Sequence, residues 1–192
     1  MALRHRVGMT RVLVLYGTAE GHTEDVVKTM IEAIAAGGHQ VDLRAVENAP
    51  AEPRGYSGVV VGSSIHMGQH HKDVVQWAAT NHAALTELPS AFFQVSLSSA
   101  PAADPKQRSE ATTYVDGFID KTGWHPDLVG LFGGALLYTR YGFAKRQLLK
   151  SIAKKGGLGT DTHRDYDYTD YEAVRHFADD VAHLVATTDR RV

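Results

Sequence analysis

The residues with the most chemical potential stand together at 17–23, reading Gly-Thr-Ala-Glu-Gly-His-Thr. Thr18 and Thr23 are neutral hydroxyl donors, and Gly21 lets a backbone come close to a ligand. The segment sits between an apolar run, RVLVLY at 11–16, and a stretch whose Val26, Val27, Met30, Ile31 and Ile34 recur with helical period. A helix beginning there exposes unpaired N–H groups at the positive end of its macrodipole, an arrangement that accepts a phosphate. The chain has no G-x-x-x-x-G-K-S/T string and no G-x-G-x-x-G string. The loop therefore reads as a phosphate site made of neutral donors, suited to a mononucleotide. The same residues also fit a capped helix after a polar turn, with no ligand.

Other chemistry-bearing residues are weaker signals. His66, His70 and His71 cluster in one segment, but His70 and His71 are adjacent and no H-E-x-x-H pattern occurs, so no metal site is assigned. Ser96, Ser98 and Ser99 lack the G-x-S-x-G context of a nucleophile elbow. Tyr166, Tyr168 and Tyr171 are given no chemistry, because two of them alternate along a strand and packing accounts for them. No side chain presents itself as a general base, and catalytic residues stay unassigned.

The elements that must position these residues alternate. Strands are expected at 11–16, 39–46, 58–64, 91–97 and 127–137, and helices at 23–36, 72–85, 108–122 and 170–186. Such a βαβ order gives an α/β fold, a doubly wound five-stranded parallel sheet with helices on both faces. Ligands of such sheets bind beyond the carboxyl ends of the strands, here the loops at 17–23, 63–71 and 98–106. The 192 residues fit one domain, the composition is that of a soluble globular protein, and there is no cysteine. The last point excludes disulfides and cysteine-held clusters and suits a reducing cytoplasm. No apolar run reaches the length needed to span a bilayer. The basic start, residues 1–10, reads as a disordered leader or a late true start at Met9, not a signal peptide. Residues 11–187 form the domain and 188–192 a tail.

The stretch YGTAEGHTE also resembles the phosphate loop of flavodoxins, of the form T-x-T-G-x-T, which binds flavin mononucleotide (FMN). Thr18, Gly21 and Thr23 fall on matching positions, while Glu20 stands where a threonine is usual. An acid beside a dianion requires that Glu20 point to water or to His22. The resemblance continues through GSSIHMGQHHKDVVQW, LPSAFFQVSL, GALLYTRY and GTDTHRDYDYTDYEAVRHFADDVAHL, in order, over nearly all of 11–186. Those blocks are similar to the menaquinone-dependent protoporphyrinogen dehydrogenase family, the short flavodoxin-like type. G-A-L-x-Y-x-R-Y, followed by a basic insert and T-D-T, is the most specific part. Met67 stands where an aromatic could face the flavin, and the third loop has fewer basic residues than the family shows.

The resemblance implies an FMN oxidoreductase of haem biosynthesis with a porphyrinogen substrate and a quinone acceptor, and no nucleic acid. It implies that FMN is held by Thr18, Ala19, Glu20, Gly21, His22 and Thr23, by Ser63, Ser64, Ile65, His66, Met67 and Gly68, and by Ser96, Leu97, Ser98 and Ser99. A flavodoxin-type electron carrier, a quinone reductase with another substrate and a binding module without flavin are the competing readings. The oligomeric state is left open.

The segment 136–160 holds six of the chain's 20 basic residues and none of its 22 acidic ones. Tyr141, Ala144, Leu148 and Ile152 recur at helical spacing, and Arg146, Lys150 and Lys154 form a second stripe. An amphipathic basic helix reads as a membrane-surface or anionic-ligand element; the sequence alone slightly favours a solvated helix packed on the sheet edge. With the resemblance, Tyr138, Arg140, Tyr141, Lys145, Arg146, Lys150 and Lys154 become candidates for contact with substrate or with the inner face of the cell membrane.

Overall fold

The computed structural model describes residues 10–101 and 103–189. The expected leader, up to Met9, and the end of the expected tail lie outside them. The strands are β1 (Arg11–Gly17), β2 (Gln40–Ala45), β3 (Gly58–His66), β4 (Gln69–His70), β5 (Ser90–Ser96), β6 (Leu128–Gly133), β7 (Ala135–Leu136) and β8 (Tyr166–Asp167). The helices are α1 (Thr23–Ala36), α2 (Lys72–Glu87), α3 (Pro105–Thr122), α4 (Phe143–Lys155) and α5 (Tyr171–Asp189). The main sheet runs β2-β1-β3-β5-β6, all parallel, with β4 turned back antiparallel on the end of β3. This is the expected doubly wound sheet. Its order reverses between β1 and β3, so their carboxyl ends diverge into a crevice.

Val12, Leu13, Val14 and Leu15 of β1 are fully buried because β1 is covered on both faces. Its side chains alternate between two cores. Val12 and Val14 join Val26, Met30, Ile34, Phe93, Phe177 and Val181 beneath α1 and α5. Leu13 and Leu15 join Val74, Leu85, Phe92, Phe118 and Trp124 beneath α2 and α3. There Phe92 and Phe118 stack at 4.1 Å, with Trp124 edge-on to both.

Two expectations are corrected. α3 begins at Pro105, not 108, because Asp104 accepts from the Gln107 N–H at 2.8 Å while the Gln107 side chain accepts from the Asp104 N–H at 2.9 Å. Together with the N1 proline this capping box was the readable start signal. The expected strand at 127–137 is two strands. The Tyr168 carbonyl crosses so close to Gly133 that a Cβ there would lie 2.1 Å from it. The chain leaves the main sheet at that point, and β7 pairs instead with β8.

The basic segment follows this break. It folds as a turn at Tyr138–Arg140 and then α4, over a small third core of Ala100, Leu136, Tyr138, Ala153 and Leu158. Tyr166 and Tyr168 stack at 6.2 Å against that core, and the Tyr168 hydroxyl accepts from the Gly159 N–H at 2.7 Å. The tyrosines thus staple the base of the insert. Among the described residues no helix is long and apolar enough to cross a membrane.

Gly62 of β3 faces Phe93 of β5, and a Cβ on Gly62 would lie 2.0 Å from the buried Phe93 ring. Gly62→Ala is expected to cost about 1–3 kcal/mol by overpacking. A domain of this size loses roughly 2–4 °C of Tm per kcal/mol. Calorimetry should also show that Phe93→Leu costs less in the Gly62→Ala background than in wild type. Additive losses would mean that the ring does not set the limit.

Candidate active-site cleft

The carboxyl ends of β1, β3 and β5 open into one cleft of about 570 Å³. The first loop supplies Thr18, Ala19, Glu20, His22 and Thr23 to its wall. Gly21 lies behind them with φ +87°, a conformation that favours glycine. The Thr18 hydroxyl accepts from the Gly21 N–H at 3.0 Å, and the Ala19 N–H reaches the Ser64 hydroxyl at 3.3 Å, tying the first loop to the second. Among the described residues no side chain caps the first turn of α1. The Glu24 and Asp25 N–H groups donate to the Gly21 and His22 carbonyls at 3.1 and 3.0 Å, while the N–H groups of His22 and Thr23 have no partner among the described residues, and with the Thr18 and Thr23 hydroxyls they fit a phosphate monoester.

The second loop is a tight hairpin. β3 and β4 pair through Ile65–His70 and His66–Gln69, so Met67 and Gly68 form the turn, both with positive φ (+50° and +77°). This is the backbone of a two-residue primed turn. Met67 is the one non-glycine residue with positive φ among the described residues, and it is 90% exposed at the tip. A bulky residue held in that region at the rim of a cleft is a strained position of the kind found at ligand sites. Ser64, Ile65, His66, Met67 and Gly68 line the cleft; Ser63 does not. Its buried hydroxyl accepts from the His71 N–H at 2.9 Å and holds the base of the hairpin instead.

The third loop contributes Ser96, Leu97 and Ser98. Ser99 lines a neighbouring pocket that shares Ser98 with the cleft, with its hydroxyl 2.8 Å from that of Ser96. Ser98 donates to Glu110 at 3.1 Å, and Tyr114 donates to the other oxygen of Glu110 at 2.8 Å. Burial and then the Glu110 carboxylate push the Tyr114 phenol up to about 12. Tyr114 therefore stays protonated and keeps its hydrogen bond to Glu110 across the physiological range. Glu110 and Tyr114 line the cleft but were not among the residues expected there. Their spacing of four on α3, next to the third loop, was the available signal.

The fourth wall is the insert. Tyr141, Lys145, Leu148, Leu149 and Ile152 line the cleft, together with Gly134, Ala135 and Leu136 at the start of the segment. Tyr138, Arg140, Arg146, Lys150 and Lys154 do not. Tyr138 is fully buried, with its hydroxyl donating to the Gly159 carbonyl at 2.9 Å. Arg146 donates to the carbonyls of Tyr138 and Tyr141, each at 3.0 Å. It is a brace for the turn, not a surface cation.

Glu20 does not point to His22. It accepts from the Tyr141 hydroxyl and from Lys145 Nζ at 2.6 Å, with His66 Nδ1 3.7 Å away. Burial, then the Glu20 carboxylate, push the Tyr141 phenol well above its usual range. His22 turns the other way, to Thr169 at 2.8 Å and Asp167 at 3.3 Å. The first loop is thus held from two sides, by the insert and by the turn before α5.

The Flavodoxin domain family matches residues 13–163. Protoporphyrinogen IX dehydrogenase (quinone) of Escherichia coli K12 is 33% identical over 177 residues, covering 91% of this chain and 96% of that protein. Its namesake in Leishmania major is 34% identical over 176 residues, covering 91% of this chain and 75% of that protein. The chain belongs to this flavodoxin-domain dehydrogenase family. Among solved structures, a short-chain flavodoxin associated with a bacterial microcompartment aligns with a TM-score of 0.57 at 14% identity, covering 94% of this chain and 99% of that one. That likeness shows the fold.

His70 anchors the second loop from below. Its ring packs edge-on between Phe92 and Phe118, and Nε2 donates to the Tyr114 carbonyl at 3.1 Å. Nδ1 is buried without a partner among the described residues. Protonation would bury an unpaired N–H, and burial accordingly lowers the pKa from 6.5 to about 4, with Lys121 adding to the effect and the Tyr114 carbonyl opposing it. Between these values the unfolded chain binds more protons than the folded one. The His70 contribution is therefore complete above pH 6.5 and is lost as pH falls towards 4, a change on the order of 3 kcal/mol. Urea unfolding at pH 7.5 and 4.5 should show a larger loss for wild type than for His70→Gln. The imidazole resonances of His70 should not titrate above about pH 5. A midpoint near 6.5 would place the ring in solvent.

Proposed function

We propose that the cleft binds FMN and that the protein oxidises a porphyrinogen and passes the electrons to a quinone. The observation that carries this reading is the shared cleft: the phosphate loop and an apolar stripe of the insert, Leu148, Leu149 and Ile152, line the same cavity. An electron carrier docking on other proteins has no need of a helix over its flavin. An enzyme with an apolar organic substrate does, because the helix walls off water and presents a surface for that substrate.

In this reading the hydroxyls of Thr18 and Thr23 and the N–H groups of His22 and Thr23 take the phosphate. Ile65, His66 and Met67 on one side and Ser96, Leu97 and Ser98 on the other hold the ring. Bound FMN would supply the two-electron acceptor that no side chain here provides. Glu110 fixes Tyr114 and Ser98 and so sets the third-loop wall. The apolar insert residues exclude water and orient the substrate.

A peripheral membrane contact belongs to the same proposal. Phe143, Leu148 and Ile152 are 78%, 62% and 49% exposed on α4, and Lys150 and Lys154 lie on the same helix. A quinone dissolved in a bilayer gives that combination a use.

Purified protein should carry flavin absorbance, and it should turn over protoporphyrinogen only with menaquinone or another quinone present. Colourless protein that gains no absorbance with FMN would sink the reading. Thr18→Ala with Thr23→Ala removes two hydroxyls from a charged group, each worth ~1.5–3 kcal/mol, so FMN affinity should fall by at least about tenfold in a fluorescence titration. For the membrane, Lys150→Glu with Lys154→Glu should abolish co-sedimentation with anionic vesicles at low salt while FMN stays bound. Wild type that remains in the supernatant would remove the membrane contact.

A further inference from the structure

The turn Tyr138–Arg140 and the residue after it are fixed at every position but one. Tyr138 is buried in the third core and bonded to Gly159. Thr139 donates through both its N–H and its hydroxyl to Asp165, each at 2.8 Å. Tyr141 is bonded to Glu20, and Arg146 braces the carbonyls on either side. Arg140 lies in the middle, exposed, with no carboxylate partner among the described residues. Its guanidinium approaches the first loop at Gly21, at the edge of the cleft lining. A Cβ built on Gly21 would meet Arg140 Nη1 at 3.9 Å, with no other group within 4 Å.

We propose that Arg140 is a phosphate ligand of the cofactor site, placed there by the insert; the inference rests on the FMN reading above. The first loop has no lysine and contains an acid, so its own residues offer a phosphate dianion only neutral donors. Lys145 cannot supply the missing charge, because Glu20 holds it at 2.6 Å. Among the described residues Arg140 is the cation left without a carboxylate beside the loop, and its planar fork matches phosphate oxygens. Glu20 and Asp165 are then positioning residues: one ties the turn to the loop through Tyr141, the other clamps Thr139. The insert thus completes the mononucleotide site as well as walling the cleft.

The test is fluorescence titration of the flavin-free protein with FMN and with riboflavin, which lacks the phosphate. Arg140→Met should weaken FMN roughly tenfold or more, leave riboflavin unchanged, and flatten the salt dependence of FMN affinity. Arg140→Lys should recover part of the loss, because the charge returns without the fork. Lys155→Met makes the same charge change at the far end of α4 and should have little effect. Asp165→Ala removes an acid, which general electrostatics alone would turn into tighter FMN binding; loss of positioning predicts weaker binding instead. The proposal is overturned if Arg140→Met binds FMN as wild type does, if it loses no more than Lys155→Met, or if it loses riboflavin equally. Tighter or unchanged FMN binding by Asp165→Ala overturns the positioning role. Wild type that binds neither flavin overturns the cofactor reading itself, and a wild type that binds both equally overturns only the phosphate role of Arg140.

Discussion

The carboxylate of Glu20 is where the two functional parts of the molecule meet. It stands in the loop that would face a phosphate, where an unpaired acid would repel the ligand. Here it is paired at close range with Lys145 and bonded by Tyr141. Lys145 in turn lies 4.3 Å from the centre of the Tyr141 ring, so cation, phenol and carboxylate form one compact group. The pairing neutralises the loop and anchors the insert at the same time. Removing Glu20 would take the acceptor from the partly buried Tyr141 hydroxyl and release Lys145, whereas removing Tyr141 or Lys145 alone leaves the carboxylate one partner.

This arrangement explains why the insert is ordered without belonging to the main core. Its own core is small: Leu136, Tyr138, Ala153 and Leu158, with Tyr166 and Tyr168 packed at the side. α4 keeps several apolar residues at its surface and would have little reason to stay in place on burial alone. Polar ties make up the difference, from Asp165 to Thr139, from Arg146 to two carbonyls, from Tyr168 to Gly159 and from Glu20 to Tyr141. Interactions of this kind are directional, so they fix a register where apolar contacts would allow sliding.

The cleft walls differ in stiffness for the same reasons. The base of the second loop is rigid, with Ser63 bonded to His71 and His70 wedged between two phenylalanines. Its tip carries Met67, strained and almost fully exposed. A flexible thioether on a rigid hairpin can adapt to a ring without moving the backbone. The third wall is held by Glu110, which receives hydroxyls from Ser98 and Tyr114 and so links the loop after β5 to α3.

The sheet and its helices were legible in the sequence because local pattern and burial agree there. Runs such as RVLVLY read as strands covered on both sides, and Gly21 and Thr23 stand where a loop passes into a helix. That the first loop and most of the second and third line one cleft followed from their places at strand ends. Tertiary structure decided the rest. Nothing local says that Glu20 turns to residues 121 and 125 positions away, or that His22 turns to Thr169. The stripe Arg146, Lys150 and Lys154 looks uniform along the helix, yet Arg146 is consumed by backbone carbonyls of its own turn. The break at Gly133 depends on a carbonyl from Tyr168 crossing it. Periodicity reports which face of an element is buried; it does not report which distant polar group comes to meet it. Those pairings are set by how the chain returns on itself, and they determine what this cleft can hold.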